Sequence, residues 1–189
     1  ALVVGAAWGG LAAAAGGRVD EVAMRIADAL MAIPLLLLAL ILVAAFGAST
    51  ATLAVILGLL HAPVTARMVR IGVLSELHAE YCLAARSFGT SRARLLASEV
   101  LPNVAPLLLV QASLNAASVI LTEAALSFVG LGIQPPDASW GTLLLQGYDN
   151  LYSSYGYVVF PGLVIFLAIL ALNTIADHLQ AVLDPRRGT

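Results

Sequence analysis

Residues 157–176 read YVVFPGLVIFLAILALNTIA, a stretch without a single charged side chain. At about 1.5 Å per helical residue it is long enough to cross a hydrocarbon core roughly 30 Å thick. Moving outward, further apolar runs occupy residues 1–17, 30–47, 52–72 and 104–127. Across all 189 residues, 61% are hydrophobic and 11% charged, and the mean hydropathy is +0.97. A soluble domain carries about 25% charged residues. The pattern predicts an all-α, polytopic membrane protein with five visible transmembrane helices, forming one membrane domain over 1–189. The first run begins without Met and has neither a basic leading segment nor a cleavage pattern, so it reads as the remainder of a longer chain and not as a signal peptide.

The charges then orient the spans. All nine basic residues are Arg. Arg18 and Arg25 lie between runs one and two, Arg67 to Arg94 between three and four, and Arg186 and Arg187 after the fifth. The opposite side, residues 48–51 and 128–156, has none. The positive-inside rule places the Arg-bearing side and the C-terminus in the cytoplasm. Without Lys there is no Walker-A phosphate loop, so any ATP used by the system is hydrolysed by another chain. A lone Cys82 and three scattered His give neither a disulfide nor metal-ligand spacing. Nothing points to nucleic acid, to a metal site or to catalytic residues.

Two stretches do more than connect spans: a cytoplasmic segment at 73–103 and an external loop at 128–156. In the first, Leu74, Leu77, Tyr81, Ala84 and Phe88 recur at helical spacing, which predicts one amphipathic helix with Glu76, Glu80 and Arg86 off its apolar stripe. Gly89 follows where a left-handed cap favours Gly, Thr90 and Ser91 offer an N-cap for a second helix, and Pro102 is expected to stop that helix. Two readings stand: an interfacial hairpin whose Arg92 and Arg94 obey the charge rule, or a docking element for a soluble partner.

The run Glu80-Tyr81-Cys82-Leu83-Ala84-Ala85-Arg86-Ser87-Phe88-Gly89, followed by Leu101-Pro102-Asn103, resembles the E-A-A cytoplasmic loop of ABC importer permeases. The resemblance implies a type I ABC importer permease fold. It also implies that 73–103 is a coupling-helix hairpin seated in a cleft of an ATPase subunit, with Glu80, Tyr81, Leu83, Ala84, Ala85, Arg86, Gly89, Leu101 and Pro102 as its coupling residues. The small side chains there permit close approach. The sequence departs from the family at Leu83, which stands where the family has Glu; Glu80, one turn earlier, is the partial replacement.

Residues 123–145, EAALSFVGLGIQPPDASWGTLLL, are similar to the signature of the second permease subunit of dipeptide, oligopeptide and nickel importers, as is the stretch from Asn173 to Arg186. This likeness implies a six-span subunit whose first span is absent here, set in a bacterial inner membrane. Its implied partners are a homologous permease in a heterodimer, two ATPases that bind the ATP and Mg, and an extracytoplasmic solute-binding protein. Di- or oligopeptides are the implied cargo, with nickel or glutathione as alternatives.

Physically, Pro135-Pro136 ends one element, Asp137 or Ser139 can cap a short helix over 140–147, and Gly130 and Gly132 permit a tight exit from span four. Tyr148, Tyr152, Tyr155 and Tyr157 gather in the loop, either as an aromatic belt or as part of a landing surface for the binding protein to which Asp137 and Trp140 contribute. Within span four, Gln111, Asn115, Ser118 and Thr122 form a polar stripe, followed by Glu123. The stripe reads either as hydrogen-bonding glue between spans or as lining of the translocation path. Glu123 is either solvated at the outer face or placed to meet a substrate amino group. His61, ahead of Pro63, is read as a hydrogen-bonding residue before a proton relay. Gly5, Gly9, Ala13 and Gly17 form a small-residue stripe that predicts a permanent partner helix, from the missing span or the second permease. Asp177 and His178 read as a solvated inner end. An ion-coupled secondary transporter would need central carboxylates for ion coupling or paired broken helices, and the spans lack a central Asp or Glu.

Overall fold

A computed structural model describes residues 1–134, 136–152 and 154–183. Every regular element among them is helical: α1 (Leu2–Ala15), α2 (Gly17–Met31), α3 (Leu35–Phe46), α4 (Thr50–Leu60), α5 (Ala62–Leu77), α6 (Glu80–Ser87), α7 (Arg92–Leu95), a π-turn (Leu96–Val100), α8 (Leu101–Phe128), α9 (Trp140–Asp149) and α10 (Gly156–Leu183). Three continuous helices are long and apolar enough to cross a membrane: Thr50–Leu77, Arg92–Phe128 and Gly156–Val182. A fourth results if α2 and α3 count as one broken span. The run at 1–17 folds as the 14-residue α1. The run at 30–47 is interrupted, because α2 reaches Met31 and Pro34, extended at φ −54° and ψ 121°, precedes α3. Proline starts a helix readily but cannot continue one.

The chain divides into two compact units, one comprising 1–32, 62–112 and the stretch from Ala176, the other 33–61 and 113–175. In the first, α1 packs along α5. Gly5 and Gly9 face it so closely that a Cβ on Gly9 would lie 2.0 Å from the carbonyl oxygen of Ala66. The small-residue stripe is therefore used within this chain: its partner is α5, not the separate helix expected from sequence. The stripe also stops at Ala13, because Gly16 and Gly17 turn the chain at φ 66° and 54°. Below the glycines, Ala13, Val69, Val73, Leu77, Cys82, Leu95, Val100 and Val104 form the buried core. On the flank of α5, Arg70 donates two 2.5 Å hydrogen bonds to the Asp20 carboxylate, and Arg67 pairs with Asp28.

In the second unit, Ala39 and Val43 of α3 pack with Leu53, Ile56 and Leu57 of α4 and with Leu126 of α8. His61 ends α4. Its Nδ1 lies 2.9 Å from the Leu57 carbonyl and must donate there, and Nε2 is hydrogen-bonded to the Ser118 hydroxyl at 3.0 Å. That makes His61 a link between helices, in keeping with the hydrogen-bonding reading. Helix α10 keeps an almost wholly exposed apolar surface, including Phe160, Leu163, Phe166 and Leu170.

Candidate functional site

Two regions hold the residues singled out by sequence. The first is the hairpin of the first unit. The amphipathic helix expected over 74–88 is broken: α5 ends at Leu77, where His78 Nδ1 donates to the Leu74 carbonyl at 2.6 Å, and Ala79 is extended before α6. The break rotates the second half of the stripe out of register. Leu77 and Cys82 are buried and Ala85 half-buried against the core, while Tyr81, Leu83 and Ala84 are exposed and Phe88 is 89% exposed. The apolar stripe thus does not share one face, and Phe88, expected inside, is the most prominent apolar knob of the hairpin.

The turn after α6 forms as its residues dictate. Gly89 has φ +82°; its N–H donates to the Arg86 carbonyl at 2.9 Å and that of Thr90 to Ala85 at 3.2 Å. These two bonds define a Schellman closure that needs a left-handed residue. Ser91 then caps α7, accepting from the Arg94 N–H at 3.4 Å. Arg86, Arg92 and Arg94 surround the turn and are exposed, and Arg92 also donates to the Ala13 carbonyl at the end of α1 at 3.3 Å.

Pro102 does not stop the second helix, which runs on from Arg92 to Phe128. The reason lies one turn earlier. A proline ring clashes with the carbonyl four residues back and lacks a donor for it; here the wider turn at Leu96–Val100, closed by a Leu101 N–H to Leu96 carbonyl bond, shifts those carbonyls and takes the helix through. Leu101 and Pro102 remain exposed.

Tyr81 fastens the hairpin. Its hydroxyl donates to Glu76 of α5 and accepts from Asn103 of α8 at 3.0 Å. Partial burial, then the bond to the Glu76 carboxylate, hold the phenol above its ordinary pKa. The proton is thus held more tightly folded than unfolded; the resulting stability is full below the ordinary tyrosine range and lost as pH rises beyond it through the raised folded value. Sequence reasoning did not assign Glu76 or Asn103; Asn103, directly after Leu101-Pro102, was the available signal. Glu80 is exposed one turn from Leu83.

The second region is in the second unit, at the C-terminal end of α8. Gly130, at φ +85°, closes that helix with the same Schellman pattern. Ser139 then starts α9 with a reciprocal capping box shared with Thr142. Glu123, Ser139 and Trp140 line one cleft of about 460 Å³, walled by Val119, Ile120, Ile133, Ala138 and Leu143. Sequence assigned Glu123 to the path and Trp140 to a docking surface; the fold brings them together. Asp137 goes elsewhere, accepting a 2.8 Å hydrogen bond from Thr50 at the start of α4. That bond joins two Arg-free stretches assigned to the same side of the membrane. The Tyr side chains at 148, 152, 155 and 157 are all exposed, and Tyr148 meets Phe128 edge-on at 5.5 Å.

The polar stripe of α8 is partitioned. Gln111 and Asn115 are buried, Thr122 donates to the Ser118 carbonyl at 2.8 Å, and Ser118 holds His61. Among the described residues no buried side-chain polar atom lacks a partner. Asp177 and His178 are exposed on α10. Pro135, Arg186, Arg187 and the 184–186 part of the C-terminal signature lie outside the described residues.

The model of binding-protein-dependent transport system inner membrane components matches residues 4–189. The chain belongs to that family. Among similar relatives of this inner membrane component, the di/tripeptide transport system permease protein DppC of Pseudomonas aeruginosa is 38% identical over 98% of this chain and 61% of its own length. The dipeptide transport system permease protein DppC of Escherichia coli K12 is 42% identical over 86% of this chain and 54% of its own. The chain thus spans about three fifths or less of the length of these two curated relatives.

Proposed function

We propose that this inner membrane component forms half of the translocation path of an ATP-binding-cassette importer for di- or oligopeptides, with all ATP chemistry in partner ATPases. The observation that carries the reading is the hairpin. An exposed Phe88 and Leu83 project beside a rigid Gly89 turn ringed by Arg86, Arg92 and Arg94, while Cys82 and Ala85 anchor its inner face in the core. An aromatic knob left in water is costly unless a partner pocket takes it.

In this reading the knob and its flanking Arg seat in an ATPase cleft. Tyr81, bound to both α5 and α8, passes the movement of the hairpin into two long helices, and Glu80, Ala84, Leu101 and Pro102 complete the surface. The hairpin and the C-terminus face the cytoplasm, and 128–156 faces outward, where Asp137 and Trp140 contribute to the landing site of a solute-binding protein. Gln111, Asn115, Ser118 and Thr122 line the path with neutral donors and acceptors suited to peptide backbone, and Glu123 adds a carboxylate at its outer end. A second, homologous permease supplies the other half, and lipid or that subunit covers the apolar face of α10. The test is uptake of a radiolabelled dipeptide by the full complex in proteoliposomes. The reading requires uptake that needs ATP and survives collapse of ion gradients; uptake that stops with the gradient at constant ATP contradicts it.

A further inference from the structure

The cleft in the second unit has a chemistry that its apolar walls do not explain. Glu123 is half-buried in it. Ser127, 1% exposed, donates to Glu123 Oε1 at 2.5 Å. Having used its proton there, Ser127 must accept in its 3.2 Å contact with the Ser139 hydroxyl, whose one proton is shared with a longer 3.4 Å contact to Thr142 Oγ1. The carboxylate is thus held in place by a relay that starts at the cap of α9. The second carboxylate oxygen has no protein partner among the described residues, and none of the ion pairs found there involves Glu123.

Trp140 lines the same cleft and is 41% exposed. A positioned carboxylate beside an indole, with Ile120, Ile133 and Leu143 around them, matches an organic ammonium with an apolar neighbour: the carboxylate meets the charge, and the aromatic surface can attract it. A bare divalent ion fits poorly, since no group of three His, Cys, Asp or Glu stands together among the described residues.

We propose that this cleft binds the free ammonium terminus of a short peptide, with Glu123 as the charge partner and Trp140 as the aromatic wall. The proposal rests on the peptide-importer reading and deepens it. Ser127 and Ser139 are positioning residues, since they act through Glu123.

The test uses the full-length chain assembled with its partner subunits. Equilibrium binding of radiolabelled L-alanyl-L-alanine is measured without the binding protein, with N-acetyl-L-alanyl-L-alanine as competitor, and uptake is measured with the binding protein present. The wild type should bind the free dipeptide about tenfold or more better than the acetylated one. E123Q keeps an acceptor for Ser127 but loses the charge; it should lose that preference, and E123D should retain part of it. Equal binding of both peptides by the wild type, no binding at all, or an unchanged preference in E123Q overturns the inference while leaving wild-type uptake, and so the importer reading, standing. Failure of E123Q to assemble also overturns it, because Glu123 would then pair with a cation of a neighbouring subunit. Absence of wild-type uptake removes the importer reading and this inference together.

Discussion

At the scale of single residues, two glycines carry opposite kinds of constraint. Gly89 is needed for its backbone: no neighbour lies within 4 Å of a Cβ built there, yet φ is +82°. Valine at this position costs about 1–2 kcal/mol in the left-handed region and opens the Schellman turn that presents Phe88. Gly89→Val should leave the protein in the membrane but cut dipeptide uptake severely relative to ATP hydrolysis, as paired uptake and phosphate-release assays would show. Gly9 is needed for its missing side chain, given the Ala66 carbonyl 2.0 Å from a built Cβ. Gly9→Leu should destabilise the α1–α5 pair by about 1–3 kcal/mol, read as a lower melting temperature in detergent. Gly10→Leu, where nothing lies within 4 Å, should be close to neutral in the same assay. The sequence could mark both positions, because Gly89 stood at a helix end and Gly9 in a period of four. It could not say which helix Gly9 meets, since a stripe of small residues records closeness and not the identity of the neighbour.

At the scale of elements, the helix ends were more legible than the helix interiors. Ser91 and Ser139 cap as their residue type demands, because capping is settled by groups a few residues apart. The two misread interiors, the break after Leu77 and the passage through Pro102, depend on terms that periodicity does not contain. In the first, the His78 side chain takes the Leu74 carbonyl. In the second, an added residue in the turn at Leu96–Val100 absorbs the proline. The same limit hid the Phe88 knob, since the 74–88 spacing treated two helices as one. The cap of α9 gives a test at this scale. Ser139→Ala removes both the cap and the contact to Ser127, and should cost about 1 kcal/mol, raising hydrogen exchange in the first turn of α9 while leaving α10 unchanged. The fastening at Tyr81 gives another. Tyr81→Phe breaks the bonds to Glu76 and Asn103, and exchange should rise across α6 while the protein remains folded; no change in α6 would show that Tyr81 does not hold the hairpin.

At the scale of the whole molecule, the expected topology rests on the distribution of the nine Arg. Within the described structure Asp137 meets Thr50, each in an Arg-free stretch, and Arg67 and Arg70 bind Asp28 and Asp20 of α2, in an Arg-bearing stretch. Five apolar runs predicted five spans, whereas among the described residues three become long continuous helices, or four spans with the bent pair, and α1 and α3 remain short. The cleft of Glu123 and Trp140 was only half legible, because the two residues are separated by a loop whose closure no spacing rule gives. The central claim, that the hairpin seats in a separate ATPase, is tested most directly by a cysteine placed at Phe88. The native Cys82 is fully buried, so Phe88→Cys supplies the reactive thiol of the hairpin. In the assembled complex, a short cross-linker from position 88 should capture the ATPase, and one from Tyr152→Cys should not. Capture of the ATPase from position 152, or none from position 88 in a complex active in uptake, would contradict the account.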